Sequence, residues 1–248
     1  MTTGAAVRRL DVHDLGLVPY GEALERQRAL AEARIRGEIP DTLLLLEHPA
    51  VVTLGRGTRQ ASLPLDPDAL RRRGIEVFEI ERGGDVTYHG PGQLVGYPIF
   101  HLEQHKPDLH WYLRQLEAAL IAALGGFGIA AERHSGYTGV WTRGRKIASI
   151  GIHVRQWVTW HGFALNVTTD LSPFDLIVPC GIPDVVMTSI AKEARPDDPD
   201  LARWHGNLGT RAREEVIGAF QRTFGFTEKT VRSQESGVGS RELKRNYY

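Results

Sequence analysis

The chain has 248 residues, 42% of them hydrophobic, with 30 Lys and Arg against 30 Asp and Glu, so it carries no formal net charge. This length buries one large core, and the neutral balance argues against a general nucleic-acid binder. The single cysteine, Cys180, excludes an intramolecular disulfide and fits a reducing, cytoplasmic setting. Residues 1–11 lack the apolar run of a signal peptide and no apolar stretch is long enough to span a bilayer, so no membrane association is expected.

In chain order, residues 21–36 place Leu24, Leu30 and Ile35 among charges and predict a helix. Residues 42–46 predict a buried strand ended by Glu47-His48-Pro49, and Val51–Leu54 a second ended by Gly55 and Gly57. Residues 66–73 open with Asp66 and Pro67 and close before Gly74, as a short helix does. Residues 75–80 alternate apolar and acidic side chains, the pattern of a half-buried strand. Leu109, Leu113, Leu116, Leu120 and Leu124 recur at spacings of three and four, predicting a helix over 108–124 stopped by Gly125-Gly126.

Residues 140–142 and 146–154 flank Arg143-Gly144 and predict a β-hairpin, with a further strand over 157–167 after another turn. A final helix is expected over 210–224. Strands outnumber helices without strict alternation, which predicts an α+β fold with a mixed sheet flanked by helices. No linker divides the chain, so residues 1–230 are expected to form a single domain, followed by a polar tail over 231–248.

No phosphate-binding P-loop, dinucleotide fingerprint, zinc helix or serine nucleophile elbow is present. Four segments carry candidate chemistry. The first is a glycine-rich stretch, Arg82-Gly83-Gly84-Asp85-Val86-Thr87-Tyr88-His89-Gly90-Pro91-Gly92-Gln93. Its glycines allow close backbone approach to a ligand, although an ordinary turn-rich loop has the same composition. In the second, Lys146 opens an apolar strand that continues through Ser149, Ile150 and Gly151. Most such lysines are solvated strand ends, but a desolvated one can accept a proton.

The third segment places Cys180 between Pro179 and Gly181, in a turn. A free thiol with a pKa near 8.5 is only about 3% thiolate at pH 7, so a nucleophilic cysteine needs an activating neighbour. Lys146, His89 and His161 all qualify, and spacing does not choose among them. The fourth segment, His161-Gly162-Phe163-Ala164-Leu165-Asn166, suits either the wall of an acyl pocket or a plain core.

Taken jointly and in this order, the four segments resemble the octanoyltransferases of lipoate biosynthesis, the LipB family. The resemblance implies a biotin/lipoate protein ligase-like catalytic fold and no cofactor or metal. It implies transfer of an octanoyl group from octanoyl-acyl carrier protein to a lysine of lipoyl domains, those of 2-oxoacid dehydrogenases and the glycine cleavage H protein. The family's nucleophile falls on Cys180 and its activating lysine on Lys146. Its substrate-contacting segments fall on Arg82, Gly83, Gly84, Asp85, Val86, Thr87, Tyr88 and His89, on Ser149, Ile150 and Gly151, and on Gly162, Phe163 and Ala164. Phe163 departs from the smaller aliphatic residue common there.

Two expectations follow from the resemblance. The glycine-rich loop and Ile150, Phe163 and Leu165 wall an acyl tunnel ending at Cys180, with Phe163 closing its far end. Arg82, Arg143, Arg145 and Lys192 rim the site for partners that are generally acidic. The rival readings are an ATP-dependent lipoate or biotin ligase, a non-catalytic binding module and a Cys-His thioesterase.

Overall fold

A computed structural model describes residues 8–194 and 207–233. Eight strands form one sheet in the order β11-β1-β2-β6-β10-β9-β8-β7, from Glu228–Ser233, Arg9–Leu17, Asp41–Glu47, Gln93–Ile99, Val158–Asn166, Arg145–Arg155, Tyr137–Thr142 and Glu132–His134. The pairs β1–β11 and β1–β2 are parallel and the others antiparallel, so the sheet is mixed. A smaller sheet, β4-β3-β5, comprises Glu76–Glu79, Val51–Leu54 and Thr87–His89. Among the described residues the α-helices are α1 (Tyr20–Ile35), α2 (Pro67–Arg71), α3 (Leu109–Gly125), α4 (Ile190–Glu193) and α5 (Leu208–Phe224).

Strand alternation sends side chains to two cores. Leu43, Leu45, Leu94, Phe163 and Leu165 pack with Leu116 and Leu120 of α3 and Phe220 and Phe224 of α5. Leu44, Leu46, Val95, Tyr97 and Ala164 face the other way, toward Ala23, Leu30 and Ala31 of α1. The small sheet packs Val52, Val86 and Tyr88 against Leu70, Phe174 and Ile177.

The hairpins turn tightly because both central residues adopt positive φ: Arg143 (49°) and Gly144 (73°), then Gln156 (49°) and Trp157 (60°). Asp66 caps α2 by accepting from the Ala69 amide at 2.7 Å. Val231, Arg232 and Ser233, expected in a tail, instead pair with β1. Residues 234–248 lie outside the described residues. Among the described residues no helix is long and apolar enough to cross a membrane.

A strand that composition conceals, β6, runs through the middle of the sheet and is buried throughout despite Gly96 and Pro98. Phe163 lies over Gly96, where a Cβ would meet its ring at 2.1 Å. Pro98 cannot donate to β10, and the ladder opens there: the His161 amide donates instead to Gln27 Oε1 at 2.9 Å.

The far end of the α1 face is held by a buried ionic cluster. Asp41 accepts from Arg34 Nε at 2.9 Å, from the His101 amide at 2.9 Å and pairs with His105 Nε2 at 2.5 Å. Burial opposes the Asp41 charge, but the hydrogen bond and charge of His105, with Arg34 and the His101 amide, outweigh it and lower the pKa below the ordinary 3.8. Asp41→Asn should therefore destabilise the protein by about 3–5 kcal/mol at pH 7, because it leaves the buried Arg34, otherwise bonded only to the neutral Gln104, without its counter-charge. A depressed pKa stabilises the fold above the unfolded value, and this contribution is lost as pH falls through the folded value. Urea denaturation should show the gap between wild type and variant closing below about pH 4.

Candidate active site

Lys146 enters the site from the start of β9 with only 1% of its surface exposed. Its backbone is clamped by the segment before α4: its amide donates to Val186 O at 2.8 Å and its carbonyl accepts from the Thr188 amide at 2.9 Å. The stem passes Gly139, whose φ of 137° favours glycine and where a Cβ would lie 2.8 Å from Lys146 Cε. The amine ends 5.5 Å from the Trp141 ring centroid and 3.0 Å from Cys180 Sγ.

Cys180 sits in the short turn Pro179–Gly181 with φ 58°, a left-handed conformation uncommon for a residue with a Cβ. Its amide donates to Val86 O at 2.8 Å, and the Gly181 amide to Val178 O at 3.0 Å. Asp85 holds the turn from below. Its carboxylate accepts from Ser62 Oγ at 2.6 Å and the Val86 amide at 2.7 Å, and a Cβ on Gly181 would meet it at 2.3 Å. Ser149 Oγ lies 3.7 Å from Sγ. Among the described residues the thiol's hydrogen-bond partners are Lys146 and Ser149; His89 Nδ1 is bonded to Gln93, and His161 Nε2 lies toward Glu81, 3.8 Å away.

His89 belongs to a chain of buried amides. Asn166 Nδ2 donates to Thr188 O and Gln93 Nε2 donates to Asn166 Oδ1, both at 2.9 Å, which leaves Gln93 Oε1 to accept from His89 Nδ1 at 2.8 Å. Burial pushes the His89 pKa down to about 3, so the ring is neutral and its Nε2 keeps a lone pair. The left-handed backbone of His161 (φ 55°) turns its ring toward Glu81, 3.8 Å away, and Tyr97. Burial also lowers the His161 pKa.

Arg82 corrects the expectation of a docking rim. It is buried, and its guanidinium donates to Asp85 O at 2.7 Å, Gly83 O at 3.1 Å, Thr53 O at 2.8 Å and Thr53 Oγ1 at 2.9 Å. It therefore holds the glycine-rich loop from inside. The loop is pinned between β9 and the turn after β3, since Gly83 N donates to Ile152 O at 2.8 Å and Gly57 N to Gly84 O at 2.9 Å. Of the other expected rim residues, Arg145 pairs with Glu193 at 2.9 Å and Arg143 reaches the same carboxylate at 3.8 Å; Arg143 and Lys192 are exposed.

A cavity of about 190 Å³ opens beside the thiol, and Cys180, Lys146, Arg82, Gly84, Asp85, Thr87, His89, Ser149, Ile150, Gly151, Gly162, Phe163 and Ala164 all contribute to its lining. Gly83, Val86 and Tyr88 do not. Strand alternation in β5 aims Thr87 and His89 at the cavity, while Tyr88 stacks edge-on against Phe174 in the small core. Phe163 borders the cavity, but its ring lies on the opposite face, 5.5 Å from Phe220, and Leu165 shares that face. Neither the Phe163 ring nor Leu165 is placed to close the cavity, whose lining instead includes Tyr20, Val95 and Tyr97. Sequence reasoning missed these three because Tyr20 begins a helix and the other two lie in β6, whose Gly96 and Pro98 disguise it.

The chain matches the lipoyl protein ligase A/B catalytic domain over residues 19–203. It is 55% identical over 193 residues to an octanoyltransferase of Rubrobacter xylanophilus, covering 77% of this chain and 86% of the relative. It is 52% identical over 225 residues to one of Solibacter usitatus, covering 89% and 95%. A solved lipoate-protein ligase A bound with ATP superposes with a TM-score of 0.69 at 17% identity, covering 92% of this chain and 89% of that one. The bipartite lipoate protein ligase of Thermoplasma acidophilum gives 0.65 at 19% identity, covering 92% and 86%. These two show the shared fold, and the family match places the chain among lipoyl protein ligase-type catalytic domains. Within that class it belongs to the octanoyltransferase family, whose members are acyltransferases.

Because the Phe163 ring fills the helical core, Phe163→Ala should cost about 3–5 kcal/mol of stability in urea denaturation. At a temperature where the variant is folded, iodoacetamide should alkylate Cys180 at the wild-type rate.

Proposed function

We propose that the protein moves an octanoyl group from octanoyl-acyl carrier protein onto the lysine amine of lipoyl domains, through a thioester on Cys180. The observation that carries this reading is the 3.0 Å contact between a buried lysine amine and the chain's one thiol, beside a cavity. In the first step Lys146 takes the thiol proton and Cys180 Sγ attacks the thioester carbonyl of the donor. The carrier thiolate leaves with a proton returned by Lys146, and one thioester has replaced another without ATP. In the second step the acceptor amine attacks the acyl-cysteine, an amide forms, Sγ departs and Lys146 receives the amine proton.

Surrounding groups fit these steps. The Cys180, Gly181 and Val86 amides are already engaged by Val86 O, Val178 O and Asp85, so they are poorly placed to hold the tetrahedral oxyanion. The Ser149 hydroxyl and the unpartnered, buried Thr87 hydroxyl both line the cavity and supply donors there. The acyl chain lies along Ile150, Gly162 and Ala164 toward Val95 and Tyr97. The Tyr97 hydroxyl donates to His48 Nε2 at 2.7 Å, because His48 Nδ1 is committed to Val18 O at 2.7 Å.

The test is intact-mass analysis after mixing the protein with octanoyl-acyl carrier protein in the absence of ATP. One octanoyl adduct should appear on wild type and none on Cys180→Ala, and Lys146→Ala should form it slower by about 10²–10⁴. Adduct formation only with ATP would favour a ligase, and release of free octanoate from the adduct faster than transfer a thioesterase.

The revised rim also gives an expectation. Arg143, Lys192, Arg56 and Arg59 are exposed near the site, and Arg56 is anchored beside the glycine-rich loop through Arg82 O at 3.0 Å. Cations of this kind steer acidic partners over distances that salt screens beyond about 8–10 Å. The second-order rate of acylation should fall as salt rises to physiological strength. A salt-independent rate would point to apolar docking.

A further inference from the structure

A buried carboxylate on the far side of the sheet bears on the lysine. Glu117 lies on α3 with none of its surface exposed. One oxygen accepts from Arg114 Nη1 at 2.6 Å and Arg133 Nε at 3.0 Å; the other accepts from the backbone amide of Gly139 at 3.2 Å. Gly139 is in β8 where pairing is irregular, with a register shift against β9 between Val140 and Trp141 and another in the β7–β8 pairing. The helix carboxylate thus does the work of an absent strand acceptor. This is also the point where the Lys146 stem passes closest: the missing Cβ of Gly139 would lie 2.8 Å from Cε and 3.4 Å from Nζ.

We propose that Glu117 is a positioning residue for Lys146, holding through the Gly139 backbone the wall that keeps the amine against the Cys180 thiol. The proposal deepens the acyl-transfer reading and rests on it. Glu117 touches neither thiol nor cavity, so its effect passes entirely through Gly139 and Lys146. The two arginines, partly exposed on the other side, fix the carboxylate so that one oxygen always faces the amide.

The single cysteine makes the test direct, because iodoacetamide alkylation reports only Cys180. Glu117→Ala should slow alkylation on the order of tenfold, the effect of losing one buried hydrogen bond that holds a group in place. It should lower kcat for octanoyl transfer and leave KM for the octanoyl-acyl carrier protein unchanged. Glu117→Gln has one acceptor oxygen for two sets of donors, the Gly139 amide and the two arginines, so its rate should fall between those of wild type and Glu117→Ala. Gly139→Ala, which drives a methyl against Cε, should reproduce the loss and serves in place of Glu117→Ala if that variant does not fold.

Wild-type alkylation in the folded alanine variant would overturn the proposal and leave Glu117 a staple of α3 to the sheet. Lys146→Ala is the control. If it too is alkylated at the wild-type rate, the lysine–thiol reading itself fails; if it alone is slow, only the role of Glu117 does.

Discussion

An amine buried against a thiol is the constraint that the rest of the site serves. A lysine side chain is seldom removed from water, because its head loses hydration that must be replaced. Here the replacement comes from Sγ at 3.0 Å and the face of Trp141, whose ring centroid is 5.5 Å away. Burial is possible only because β8 offers Gly139 where the stem crosses, and the segment 186–188 clamps the lysine backbone from the other side. That clamp is fixed in turn: Thr188 donates to Glu193 at 2.5 Å, and Arg145 reaches the same carboxylate.

The thiol is placed by a different part of the chain, and the two halves meet through the glycine-rich loop. Arg82 gathers the loop's carbonyls with a buried guanidinium, Asp85 props the Cys180 turn, and Val86 O receives the cysteine amide. Glu81, just before the loop, ties it to α1 through a bidentate pair with Arg28 and to β10 through Trp160 Nε1 at 3.1 Å. Its pairing with His161, Arg28 and Trp160 holds the Glu81 carboxyl well below the usual range. Most polar residues of the loop therefore build the frame, while Thr87 and His89 face the cavity. The turn at Gly90, Pro91 and Gly92 is likewise structural, with Gly92 N bound by Glu47 at 2.7 Å and Gly92 O accepting from the Thr168 amide at 2.9 Å.

Much of this was legible in the residues. The leucine spacing of α3, the two hairpin turns and the Asp66 cap specify their elements locally, and the structure has them within a residue or two, except that β8 begins at Tyr137, three residues before the expected Val140. The meeting of Cys180 and Lys146 was expected from the resemblance, since 34 positions of separation carry no geometry. What sequence concealed was non-local. Strand β6 is central in spite of Gly96 and Pro98, because one gives way to the Phe163 ring and the other sits where the ladder opens. The edge strand β11 pairs with β1 across more than two hundred residues. The face chosen by Phe163 depends on the register of β10 against β6 and on the left-handed His161 nearby, so a large apolar residue in a matched segment pointed into the helical core. Arg82 was legible as functional but not as buried, because its partners are backbone carbonyls.

The central claim is that the acyl group passes through Cys180 on its way to the acceptor, with Lys146 moving the protons. The most direct measurement is a chase of isolated octanoyl-enzyme with a lipoyl domain, followed by intact mass. The account predicts that the octanoyl mass leaves the enzyme and appears on the acceptor, without ATP, at a rate no slower than steady-state turnover. An acyl-enzyme that transfers more slowly than turnover would contradict it, because Cys180 would then hold a side product and not the intermediate.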